Sequence, residues 1–143
     1  MEAKFIKRFE SFVNSLNGLR MAKERDAADP FVLSGTVQKY NLTFDISWKV
    51  MKDIIVQQYM ITNFVTGSPR EVLKQAKGVD LISDDIWVDM LNDRNELAHD
   101  YDGKLASECF ELIVNDYINA FDLFKEKAET VIAEMKEKLG ESR

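Results

Sequence analysis

The segment Asp93-Arg94-Asn95-Glu96-Leu97-Ala98-His99-Asp100-Tyr101 gathers the side chains of this chain best suited to chemistry. An arginine fork matches the oxygens of a phosphate. An imidazole titrating near neutrality can move a proton at physiological pH. Together they suit cleavage of an RNA phosphodiester by its own 2′-hydroxyl. His99 would manage the proton of the nucleophile, and Arg94 would stabilise charge at phosphorus. His99 is the only histidine and Cys109 the only cysteine. A zinc site of the thiolate type takes about four N or S ligands, so no metal site is expected within one chain. Neither type of Gly-rich phosphate loop occurs, so no nucleotide cofactor is expected either.

Placed on a helix at about 100° per residue, Trp87, Met90, Leu91, Leu97 and Ala98 flank Arg94 on one apolar stripe. A guanidinium there needs an anion or an acceptor. His99 lies about 140° from Arg94 on the same projection, so one straight helix cannot bring the two together. Either the helix ends near His99, or two copies of the segment share a site. A twofold homodimer would supply two of each residue, with the apolar stripe as its interface. The surroundings are acidic: residues 80–102 set eight Asp and Glu against Arg94 alone. RNA would need cations from elsewhere, and Arg70, Lys74 and Lys77 are the candidates. Their other reading is a plain solvated basic face.

The elements that must position these residues are helical. The chain has 143 residues, 45% hydrophobic, with six Gly and two Pro. That length suits a single domain, 1–143, able to bury a core without disulfides. Phe5, Phe9, Phe12, Val13, Leu16 and Leu19 recur at helical spacing over about residues 4–24. A long central helix is expected over 36–63, restarted by Ser34-Gly35-Thr36. Its stripes are Tyr40, Phe44, Trp48, Met51, Ile55, Tyr59 and, beside them, Leu42, Ile46, Val50, Ile54, Ile61. Ser68-Pro69-Arg70-Glu71 is a capping-box start for a short helix that Gly78 ends. Ser83 caps the motif helix, with Asp84 and Asp85 in its first turn. Residues 105–139 lack Gly and Pro and read as one helix, with Cys109 on its core stripe. The expected fold is all-α: an up-and-down four-helix bundle with an additional short helix.

These residues also carry a resemblance. Arg94-Asn95-x-x-x-His99-x-Tyr101 is similar to the R-x-x-x-x-H-x-Y signature of the HEPN superfamily. More narrowly, the chain over about residues 4–135 resembles the nucleotidyltransferase substrate-binding proteins. The resemblance rests on Tyr40, Phe44 and Trp48, on the S-P-R-E start at Ser68, and on the block from Trp87 to Tyr101. It implies a HEPN-like bundle that dimerises through the motif helix and pairs with a minimal nucleotidyltransferase. The leading expectation is a toxin-like, metal-independent endoribonuclease inhibited by that partner. Arg94 and His99 would then be catalytic, Asn95 a supporting motif residue, and Tyr101 the site of AMP transfer. The alternative is a non-catalytic substrate-binding subunit of a two-component nucleotidyltransferase.

The net charge of −6 disfavours non-specific nucleic-acid binding in bulk. The distribution is uneven, since residues 1–25 carry six basic side chains against three acidic ones. No apolar run approaches the ~20 residues that span a bilayer, and the first residues lack a signal-peptide core. A cytoplasmic location without membrane contact is the expectation.

Overall fold

The computed structural model describes residues 3–64, 67–83 and 85–141. The described elements are helical. α1 covers Lys4–Arg20 and tightens into a 3₁₀ turn at Met21–Glu24; α2 covers Pro30–Gln57, α3 Pro69–Gly78 and α4 Ile86–Leu97. α5 covers Lys104–Leu112 and runs through a π-helical turn at Ile113–Tyr117 into α6, Ile118–Glu141. The fold is an all-α bundle, and no strand occurs among the described residues.

α2 is the central element. It is 28 residues long, about 42 Å at 1.5 Å per residue, and it packs against α1, α3, α4, α5 and α6. Ion pairs and hydrogen bonds fix its neighbours. Arg8 meets Asp53 at 2.7 Å and Ser15 meets Thr43 at 2.7 Å, a descending register that makes α1 and α2 antiparallel. Tyr40 stacks on Tyr117, whereas Gln58 reaches Glu134 and Lys138, so α2 and α6 run the same way. Two helices of one direction with α1 opposed is the up-and-down pattern. Small polar residues on the covered face of α2 serve their own helix. Thr36 donates to Val32 O, Thr43 to Lys39 O and Ser47 to Phe44 O, each at 2.7 Å. Each buried hydroxyl is thereby satisfied.

The core is one aromatic-rich cluster. Phe121 and Phe124 of α6 are its hub. Phe12 of α1 lies edge-on to both, at 6.1 and 5.5 Å between ring centroids, and Trp87 of α4 does the same at 5.5 and 5.9 Å. Arg20 then closes α1 onto α6 with a bidentate pair to Asp122 at 2.7 and 2.9 Å.

Several boundaries differ from the sequence expectation. α2 begins at Pro30, not near 36, because Asp29 caps it by accepting from Phe31 N at 2.9 Å and Pro30 fits the first helical position. Ser34, Gly35 and Thr36 therefore lie inside the helix. It ends at Gln57, and Tyr59 and Ile61 fall beyond it. Of the expected second stripe, Val50 and Ile54 are buried while Leu42 is exposed. The capping box of α3 forms as expected: Glu71 N donates to Ser68 Oγ at 3.3 Å and Gly67 N to Glu71 Oε1 at 2.8 Å. Gly78 ends α3 as expected, but the left-handed residue is not the glycine. Leu81 N–H bonds to Ala76 O and Asp80 N–H to Lys77 O, a Schellman closure whose left-handed position is Asp80 at φ +62°. Asp85, not Ser83, stands at the N-cap of α4. Asp84 lies outside the described residues.

The expected single helix over 105–139 contains the π turn. Cys109, Ile113, Tyr117 and Phe121 are all buried and spaced by four. An α-helix drifts about 40° at each such step. One wider turn removes part of that drift and keeps all four on the core side. Phe12→Ala should cost about 3–5 kcal/mol of stability, because the ring is fully buried between Phe121 and Phe124. Urea unfolding of the two proteins measures the difference.

Candidate functional site

α4 stops at Leu97, four residues before Tyr101. The chain then turns: Ala98 N–H bonds to Arg94 O, His99 N–H to Glu96 O, and Asp100 N–H to Leu97 O. Gly103 at φ +75° reverses the chain into α5, a conformation that a residue with a Cβ rarely adopts. The helix therefore ends near His99, the first of the two alternatives. Arg94, His99 and Tyr101 occupy one end of α4, where Tyr101 N–H donates to His99 O at 3.1 Å. His99 and Asn95 are exposed, and Tyr101 is 92% exposed. The Tyr101 ring borders a groove of about 440 Å³ between the first turns of α2 and the α4–α5 turn, with Leu33, Val37, Leu97 and Ala106 in its walls.

Arg94 is anchored across the bundle. Its Nε donates to Asp45 Oδ1 at 2.9 Å and its Nη2 to Asp45 Oδ2 at 2.8 Å. The hydrogen bonds to Asp45 raise the guanidinium pKa, against the opposing effect of burial. This side-on engagement uses two of the five N–H groups. The far edge, Nη1 with the second Nη2 hydrogen, makes no hydrogen bond to a described residue, and the side chain keeps 30% of its surface accessible. Asp45 was not singled out by the sequence reading. Its signal was present: it is the only acid between Asp29 and Asp53, and it stands on the most apolar helix.

The apolar neighbours of Arg94 have a different role from the one expected. Trp87, Met90, Leu91 and Leu97 are buried in the chain's own core, not left for an interface. Tyr40 Oη donates to Met90 O at 2.7 Å and locks this face of α4 onto α2. What α4 leaves outside is Val88, Asp89, Asn92, Asn95 and Glu96, with His99 in the turn beyond, a polar face that carries two carboxylates and one apolar side chain.

Part of the acidic belt is committed to structure, while Asp89 and Glu96 are exposed and pair with no described residue. Asp93 accepts from Tyr117 Oη of the π turn. Asp100 accepts from Leu105 N at 3.2 Å and Ala106 N at 2.8 Å, and Asp102 from Lys104 N at 3.1 Å, so both cap α5. Their charge faces the positive helix end and not open solvent alone. Arg70, Lys74 and Lys77, the cations expected to receive RNA, lie together on α3. They edge a cleft of about 480 Å³ between α3 and α4, floored by Leu73, Ile82, Trp87, Val88 and Leu91. Lys77 is paired with Asp85 at 2.6 Å, and Arg70 donates to Asn92 at 3.2 Å. Lys74 alone has no partner among the described residues. No group of three or more His, Cys, Asp or Glu among the described residues is placed to hold a metal ion. No described helix is long and apolar enough to cross a membrane.

An all-α bundle with R-x-x-x-x-H-x-Y at the end of its fourth helix is consistent with the HEPN type. The family model described as nucleotidyltransferase substrate binding protein like matches residues 7–130, and the chain belongs to that family. No curated protein matches the chain.

Three buried groups near the motif hold their protons tightly. Burial, then the nearby Asp93, pushes the Cys109 thiol up from 9.0 to about 11. Burial also raises Tyr40, and burial with the Asp93 hydrogen bond raises Tyr117. In the unfolded chain these groups ionise near their ordinary values, about 8.5 for thiol and 10 for tyrosine. Below pH 8 both states are protonated and nothing changes. Above about pH 9 the unfolded state loses protons first, so stability falls as pH rises. The urea midpoint should decline between pH 8 and 10.5, and Cys109→Ala should remove the earliest part of that decline. A flat profile would contradict the assignment.

Proposed function

We propose that the chain acts beside a nucleotidyltransferase as a metal-independent endoribonuclease whose activity that partner restrains. The observation that carries this reading is the side-on hold of Arg94 by Asp45. It fixes the guanidinium plane while leaving the opposite fork for a phosphate, and that pre-set orientation is what charge stabilisation at phosphorus requires. His99 stands exposed in the turn that follows, where its ring can exchange protons with a bound strand. One chain supplies one imidazole. A second copy docked through the outward stripe Val88, Asn92, Asn95 and His99 would bring two into one cleft. Tyr101 supports the restraint. Its ring is presented to solvent beside an apolar groove wide enough for a protein segment. AMP on its hydroxyl would add a phosphate and a base at the motif, excluding RNA by charge and volume.

The cleft between α3 and α4 favours a second reading, a non-catalytic subunit that holds a substrate for the nucleotidyltransferase. Its volume of about 480 Å³ is within the range of small-molecule sites.

Arg94→Ala and His99→Ala should each lower RNA cleavage by at least about 10²-fold, the usual scale for loss of such groups, with the circular dichroism spectrum kept. Cleavage should persist in EDTA. Full activity in His99→Ala would reject the mechanism, and absence of cleavage by the native chain would favour the second reading. For the restraint, incubation with the neighbouring nucleotidyltransferase and ATP should add an adenylyl mass to the 99–104 peptide, absent in Tyr101→Phe. An unmodified peptide under conditions where the partner is active would remove that mode of control.

A further inference from the structure

We infer that the face built by the start of α1 and the middle of α2 is a track for the backbone of single-stranded RNA, with Lys4, Lys7, Lys49 and Trp48 as its contacts. The inference rests on the ribonuclease reading for its purpose, not for its geometry. Lys4, Lys7, Arg8 and Lys49 surround a shallow depression of about 400 Å³ floored by Ser11 and Ile46. Arg8 is already paired with Asp53. Lys4, Lys7 and Lys49 are exposed and form no ion pair with a described residue. The acids nearby are few: Asp53 is held by Arg8, Asp45 by Arg94, and Glu10 stands exposed on α1. In a chain of net charge −6, this is a local excess of three unpaired cations. It is the opposite of what the motif end of α4 presents.

Two further features point to a strand rather than a lone anion. Lys49 Nζ lies 5.8 Å from the centre of the Trp48 ring, and that ring is only half-buried. A cation beside an accessible aromatic is the pairing that single-strand sites use, phosphate on the one and a base against the other. Lys49 is also one turn along α2 from Asp45, about 6 Å, and Asp45 holds Arg94. The track therefore leads along one helix to the guanidinium. Arg70 and Lys77, the cations expected from the sequence, already have partners at the α3–α4 cleft.

The test is binding of a fluorescein-labelled 12-nucleotide oligouridine to the whole chain carrying His99→Ala, read by anisotropy from 25 to 200 mM salt. Three phosphate contacts on a single strand give a slope of about −2 in log K against log salt. Replacing Lys4, Lys7 and Lys49 with alanine should weaken binding at least tenfold at low salt and bring the slope close to zero. The Arg70, Lys74 and Lys77 triple alanine variant should change affinity less than twofold. Trp48 emission should be quenched on binding, with the quench lost in Trp48→Phe. Trp87, at 3% exposure, should be silent. An unchanged slope in the first variant, or loss of binding in the second instead, overturns the track. Cleavage that needs His99 yet is indifferent to the three lysines overturns the track and leaves the ribonuclease reading standing. Binding through the lysines without cleavage by the native chain does the reverse.

Discussion

The constraint on which the bundle depends is the burial of α2. A 28-residue helix that is apolar around much of its circumference cannot rest against a single partner. Every other α-helix packs against it, and the order of the chain around it follows. It also decides where polar groups can exist. The threonines and Ser47 on its covered face are tolerated because they bond to carbonyls of their own helix. Asp45 is tolerated because an arginine from α4 meets it. The pair is partly open to solvent, so its contribution to stability is modest. Its contribution to geometry is larger, since it fixes a long side chain in one orientation at the rim of the core.

Electrostatics in this molecule is arranged by segregation. Four acids of the belt around the motif are engaged in structure, and Asp89 and Glu96 stay exposed, where they repel a polyanion. Asp93 serves Tyr117, Asp100 and Asp102 serve the start of α5, and Asp85 serves Lys77. Three unpaired cations, Lys4, Lys7 and Lys49, gather on α1 and α2. Net charge alone, an average over both regions, conceals this division.

The helices were legible because their signals are local. The aromatic stripe of α1, the Ser68-Pro69 start and the Trp87–Leu97 run are each written within a few turns. The motif could be read for the same reason, and of the two alternatives it left the helix end near His99 is the one found. What escaped depends on distant partners. Nothing near Arg94 in sequence announces Asp45, 49 residues away. The fate of Trp87, Met90 and Leu91 turned on whether α2 and α6 would cover them or a second chain would. Arg70 and Lys77 read as free cations because Asn92 and Asp85 are brought to them by the α3–α4 packing. Gly78 marks the end of α3 as read, while the left-handed position beyond it is taken by Asp80, which no local signal announces.

The π turn at Ile113–Tyr117 makes the last two helices into a pair of gears with a fixed number of teeth. α5 is seated by Asp100 and Asp102 at its start, and α6 by Phe121 and Phe124 against α1 and α4. The residue count between these seats sets the rotation of one helix relative to the other. Adding one more residue to this stretch, with the wide turn already spent on the first, would rotate α6 by about 100° relative to α5. That rotation would carry Tyr117 away from Asp93 and the two phenylalanines out of the core. This stretch can thus change its letters far more readily than its length, and an alignment gap placed here would describe a different packing, not a neutral loop.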